Sequence, residues 1–258
     1  MNKINKLFSE VKDRKLLSLY FCAGYPTLEG TGDVIMTLQK RGIDMIEVGI
    51  PFSDPLADGP VIQSAATKAL KNGMTLSKLF AQLGEIKNQV DIPLVMMGYL
   101  NVIMYYGIEN FFKSCADNGA SGCIIPDLPF KDYLEVVKPI ADKYDIRVIM
   151  MITPETSEER IRFIDDNTDG FIYMVSSASI TGAQSNFNDD KVAYFERINA
   201  MNLKTPRMIG FGISNKQTLE SAQNNASGAI IGSKFVTLLN ETGNPDLAID
   251  KLYDALKK

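Results

Sequence analysis

The chain has 258 residues, 45% of them hydrophobic and 22% charged, and its 27 basic and 31 acidic side chains leave a net charge of −4. That balance belongs to an ordinary globular protein; it argues against nonspecific nucleic-acid binding but leaves room for a local cationic patch that holds an anion. The absence of histidine excludes Ser-His-Asp and Cys-His catalysis and every histidine-ligated metal site, so acid-base work falls to Asp, Glu, Tyr, Lys or Cys.

In chain order, the opening stretch MNKINKLFSEVKDRK places Ile4, Phe8 and Val11 near helical spacing and mixes both charge signs. It reads as an extra N-terminal helix docked on the body of the protein, not as a signal peptide. Eight short apolar runs follow, at 16–24, 45–50, 93–99, 122–127, 147–153, 170–176, 207–212 and 228–233. Amphipathic stretches separate them at 28–41, 61–71, 76–89, 107–118, 131–143, 157–166, 189–201 and 215–224. Eight alternating strand and helix units predict an α/β fold, a (β/α)8 TIM barrel, as one domain over residues 1–258. A doubly wound open sheet is the alternative, but no GxGxxG follows the first strand. Cys22, Cys115 and Cys123 show no CxxC spacing and read as reduced, buried thiols. No uninterrupted apolar run reaches membrane-spanning length, so a cytoplasmic protein is expected.

In such a barrel the chemistry sits beyond the C-terminal ends of the strands. Alternation in the run 45–50 puts Ile46, Val48 and Ile50 on one face and Met45, Glu47 and Gly49 on the other, which sends a carboxylate into an apolar interior. Read alone, Glu47 fits an interior salt bridge as well as a catalytic acid, and Asp58, in an Asp-Gly turn, fits a tight loop. Together they place one acid in the barrel mouth and another above it. Asp54 shares that loop, Asp127 follows the fourth strand, and Tyr173 lies in the sixth. After strands 7 and 8 come GFGIS (210–214) and IGSKF (231–235). Each sets glycine and serine ahead of a helix, the arrangement that brings backbone N–H groups and a helix N-terminus to a phosphate. The pairs Met96–Met97 and Met150–Met151 read as core packing, Asp127 as a loop anchor, and Tyr25 and Tyr99 carry no assigned role.

EVGIPFSDPLADGPVIQ (47–63) resembles the signature of the tryptophan synthase alpha chain family. The likeness continues through FCAGYPT (21–27), MGYLN (97–101), IPDLP (125–129), GFIYMVSS (170–177), ITG (180–182), GFGIS and GAIIGS (228–233). The resemblance implies a barrel that cleaves indole-3-glycerol phosphate by a retro-aldol reaction to indole and glyceraldehyde 3-phosphate, a lyase step of tryptophan biosynthesis. It implies Glu47 and Asp58 as the catalytic acids and Tyr173, Thr181, Gly182, Gly212, Gly232 and Ser233 as substrate-binding residues. No metal or cofactor is implied in this chain. The partner is a beta chain in an alpha2beta2 heterotetramer, with pyridoxal phosphate only in that partner, and neither nucleic acid nor membrane is involved. Two departures stand out. The family's common Ser-Arg-x-Gly-Val-Thr-Gly reads here with Ser177 and Ser179 at the arginine and first glycine positions, which bears on loop closure and on coupling to the partner. Val102 stands where the family often has proline. A phosphosugar isomerase sharing the phosphate cup, and a regulatory barrel that has lost cleavage, are the rival readings.

Overall fold

In the computed structural model, residues 1–176, 189–210 and 212–257 are described. Eight strands, β1 (Leu16–Cys22), β2 (Met45–Gly49), β3 (Leu94–Met97), β4 (Gly122–Ile124), β5 (Arg147–Ile152), β6 (Ile172–Val175), β7 (Arg207–Gly210) and β8 (Gly228–Ile231), pair in parallel, each with the next, and β8 returns to β1. The closed barrel is the predicted (β/α)8 fold. Its strands are apolar on both faces because both are covered: Ile46 and Val48 lie in the layer under the helices while Glu47 points inward, and all three are at most 1% exposed.

The helices are α1 (Lys3–Glu10), α2 (Thr31–Lys40), α3 (Pro60–Lys71), α4 (Leu76–Ile86), α5 (Leu100–Tyr106), α6 (Ile108–Asp117), α7 (Phe130–Asp132), α8 (Lys138–Lys143), α9 (Glu158–Asn167), α10 (Asp189–Ala200), α11 (Lys216–Asn225), α12 (Ser233–Thr242) and α13 (Pro245–Lys257), with a π-helical turn, Tyr133–Val137, joining α7 to α8. The expected N-terminal helix is α1, and it closes the base of the barrel. Asn2 caps it by accepting from Ile4 N at 2.8 Å, and the Asn2 amide donates to Ser121 O at 2.8 Å. Ile4 is fully buried; a Cβ on Gly122, at the start of β4, would stand 2.7 Å from its Cδ1, so glycine there permits the close seat.

Two features differ from the sequence reading. The strands stop one to three residues before the apolar runs do, because residues such as Ile50 and Tyr99 turn out of the ladder and are buried by the mouth loops instead. The run after β3 also contains a helix, α5, that its β-branched and aromatic composition hides. The α5 N-terminus is held by Asp127, which accepts from Leu100 N at 2.9 Å, and Gly107, at φ +90°, ends it and opens α6. Val102 N donates to Tyr99 O at 3.1 Å in the first turn, a bond that a proline at this position could not make.

Candidate active site

Four carboxylates are buried among the described residues: Asp44, Glu47, Asp58 and Asp165. Two of them belong to the base of the barrel and are partnered there. Asp44 accepts from Leu17 N at 2.8 Å and pairs with Arg14, and Asp165 accepts from Thr205 N at 2.8 Å and Lys204 N at 3.0 Å. Glu47 is different. It is 1% exposed, no lysine or arginine among the described residues pairs with it, and its Oε1 has no hydrogen-bond partner. That removes the interior salt bridge as its explanation. Burial pushes the Glu47 carboxyl up to about 8, so it is protonated at neutral pH and ready to give a proton to whatever enters the mouth.

Asp58 reaches the same space from the loop after β2, which closes through Gly59 onto Pro60 at the first position of α3. It is 8% exposed, and burial raises its carboxyl to about 6, opposed by a hydrogen bond from the Tyr99 hydroxyl to Oδ2 at 2.9 Å. At neutral pH Asp58 is therefore largely ionised while Glu47 is not. Two carboxyls pushed apart in this way divide the labour of one acid and one anion. Asp54, in the same loop, is exposed, and its carboxylate accepts from its neighbour Ser53 at 2.5 Å. Asp127, as expected, is a loop anchor, through its bond to Leu100 N.

Sequence reasoning missed Tyr20 and left Tyr99 without a role. Tyr20 is the register partner of Glu47 on β1, and its side chain lies across β2, where a Cβ on Gly49 would come 2.2 Å from the hydroxyl. On the far side Tyr173 lies across β7 in the same manner, with a Cβ on Gly210 falling 2.0 Å from its hydroxyl. The two glycines are the slots for the two phenols. Both phenols are buried, both are raised chiefly by that burial, and both are raised further by Glu47 and Asp58. The two acids and two tyrosines thus share one enclosure. Cys22 faces it too: burial, then Asp58, raises its thiol and keeps it protonated. The signal available in the sequence was alternation, since Tyr20 and Cys22 share a face on β1, and Gly49 follows Glu47 by two. Tyr25, past the end of β1, lies buried with the Lys68 ammonium of α3 5.6 Å from its ring centre.

At the other end of the mouth the two glycine-serine turns prove unequal. The N-terminus of α11 is capped by the protein itself: Asn215 Oδ1 accepts from Thr218 N at 2.9 Å, and Thr218 Oγ1 accepts from Ser214 N at 3.1 Å. Among the described residues no side chain caps α12, whose N-cap is Gly232 and whose first residue is Ser233. Its backbone N–H groups and dipole are the better anion site. A Cβ on Gly232 would meet the Tyr20 Cβ at 3.6 Å, an ordinary contact, so the barrel does not itself demand glycine there. Gly212, at φ +80°, holds a turn that a side chain would strain. Thr181 and Gly182, with Ser177 and Ser179, lie outside the described residues.

A family model of the tryptophan synthase alpha chain matches residues 8–257. The chain is 66% identical to a tryptophan synthase alpha chain of Phocaeicola vulgatus over 258 residues, covering 100% of both. It is 64% identical to that of Bacteroides fragilis, covering 98% of this chain and 95% of the relative. Among solved structures, the tryptophan synthase alpha chain of Legionella pneumophila superposes with a TM-score of 0.88 at 30% identity, covering 99% of this chain and 96% of that one. The aminoacrylate-bound tryptophan synthase of Mycobacterium tuberculosis contains a chain that superposes at 0.85 with 25% identity, over 99% and 98%.

Proposed function

The chain belongs to the tryptophan synthase alpha chain family, and from that premise we propose that Glu47 and Asp58 carry its chemistry. The family's reaction is that of a carbon-carbon lyase, the retro-aldol cleavage of indole-3-glycerol phosphate to indole and glyceraldehyde 3-phosphate. Protonated Glu47 gives its proton to indole C3, and ionised Asp58 accepts the ring N–H and stabilises the positive charge that forms there. The Glu47 carboxylate then removes the proton of the side-chain hydroxyl on the adjacent carbon. A carbonyl forms, the bond between that carbon and indole C3 breaks, and its electron pair returns to the ring. The observation that supports this reading best is a buried Glu47, its Oε1 without a hydrogen-bond partner among the described residues, raised to about 8 beside an Asp58 at about 6.

Tyr173 borders the indole. The phosphate lies on the first turn of α12 at Gly232 and Ser233, with Gly212 shaping the neighbouring turn; Thr181 and Gly182, outside the described residues, are assigned to substrate binding on the family's motif. None of these steps uses a cofactor of this chain; pyridoxal phosphate belongs to a beta chain, which receives the indole in an alpha2beta2 assembly. Support for a partner surface comes from the mouth rim, where Leu56, Met104 and Tyr105 are 83%, 58% and 96% exposed on the β2 loop and α5. Apolar side chains gathered at one rim mark an interaction face. We read residues 1–258 as one domain acting in the cytoplasm, a compartment that suits three buried free cysteines; no helix among the described residues is long and apolar enough to cross a membrane.

The test is indole release by Glu47→Gln, which keeps the shape and removes the transferable proton. General acid-base catalysis is worth about 10²–10⁴-fold, and a group serving two steps should cost at least that. A folded variant with indole release near the parent's would overturn the assignment.

A further inference from the structure

Of the two acids, Asp58 sits on the less regular support. It lies in a loop, four-fifths of the way from the end of β2 to α3, and no lysine or arginine among the described residues pairs with it. Among the described residues, one side chain hydrogen-bonds its carboxylate. The Tyr99 hydroxyl donates to Asp58 Oδ2 at 2.9 Å and accepts from Ala57 N at 3.0 Å, and its ring packs on Phe52 with centres 5.2 Å apart at 31°. Three points of the loop, at 52, 57 and 58, are thus held by one residue of the next mouth segment. Leu56, between them, is 83% exposed.

Because the Ala57 N–H is a donor, it occupies a lone pair of the hydroxyl and leaves the single phenolic hydrogen for the carboxylate. A hydrogen bond received by the charged form favours that form. Tyr99 is itself fixed from behind: it is the N-cap of α5, whose first free amide, Leu100 N, is held by Asp127 at 2.9 Å. The other titratable groups sharing the enclosure with Asp58 are Tyr20 and Cys22 from β1, Glu47 from β2 and Tyr173 from β6; burial raises all four, and Glu47, pushed up to about 8, is neutral over the acid limb. None of these supplies a charge that could substitute for the Tyr99 bond.

We propose that Tyr99 is a positioning residue for the cleavage, holding the Asp58 carboxylate ionised and aimed at the substrate's ring N–H. The inference rests on the catalytic role of Asp58 proposed above and adds the residue on which that role depends.

The experiment is the pH dependence of kcat/KM for indole release in the parent, Tyr99→Phe and Asp58→Asn, with far-UV circular dichroism to confirm folding. A hydrogen bond to a charged group corresponds to about a tenfold effect or more on an equilibrium. Tyr99→Phe should therefore move the acid limb upward by about one pH unit and lower kcat/KM about tenfold below pH 6. The substrate phosphate titrates identically in both enzymes, so the difference reports Asp58. Fluorotyrosine at position 99, a stronger donor of nearly the same shape, should move the limb the opposite way. An unchanged acid limb in Tyr99→Phe, with or without a uniform loss at all pH values, would overturn the proposal. If Asp58→Asn itself retained the parent's activity, the catalytic assignment of Asp58 would fail instead, and the two failures are told apart.

Discussion

Replacing Glu47 by glutamine should make the protein more stable, by an amount set by pH. The folded-state value of about 8 against the ordinary 4.5 corresponds, at about 1.36 kcal/mol per pH unit, to about 5 kcal/mol. The sign follows from proton binding. Between these two values the folded protein holds a proton that the unfolded chain has released, so stability falls as pH rises. The contribution of the protonated carboxyl is complete below about 4.5 and lost by about 8. Glutamine does not titrate, and all other groups are common to both proteins, so the stability difference between variant and parent isolates Glu47. That difference should grow by about 3 kcal/mol from pH 4.5 to pH 7 and by about 5 kcal/mol up to pH 9. Urea unfolding followed by circular dichroism at pH 4.5, 7 and 9 measures it, through the shift in midpoint at constant slope. A difference that stays the same across this range would refute the claim that Glu47 is buried without a compensating charge.

Other expectations follow from the same geometry. Asp58→Asn should show the smaller counterpart, a stability difference that grows by about 3 kcal/mol between the ordinary 3.8 and about 6 and is flat above, measured by the same unfolding series. Gly210→Ala would drive a methyl to 2.0 Å from the Tyr173 hydroxyl; the overpacking should cost about 1–3 kcal/mol and raise KM for indole-3-glycerol phosphate, both read directly. Gly232→Val should weaken binding of glycerol phosphate, by calorimetry, with little loss of melting temperature, whereas Gly212→Val, at φ +80°, should lower both. Tyr105→Glu should weaken association with a beta chain in sedimentation while leaving the isolated chain's indole release unchanged.

The fold was largely legible because its signals are local. Alternation over six residues was enough to turn Glu47 inward, and eight apolar runs at regular spacing admit few topologies. Asp58 came from a loop motif, and the fold buries it. What stayed hidden depends on residues far apart in the chain. The Tyr99–Asp58 bond spans 41 residues and two intervening helices, and nothing near position 99 announces it. The pairing of Tyr20 with Gly49 and of Tyr173 with Gly210 requires barrel register, which no single run contains. Helix α5 was concealed for a different reason: its stabilisation comes from a cap supplied by Asp127, beyond β4, against the strand-like composition of its own residues. The two phosphate-loop motifs looked alike in sequence, and only the side-chain caps on α11 separate them from the uncapped α12.

Cleavage requires Glu47 to be protonated before substrate binds, and this requirement is read on the alkaline side of the kcat/KM profile for indole release. The substrate phosphate is fully ionised there and Asp58 is fully charged, so Glu47 governs the limb. The expected profile is level from pH 7 toward a bend at about 8, then falls about tenfold per pH unit. A profile that remains level through pH 9.5 would contradict the assignment of Glu47 as the acid.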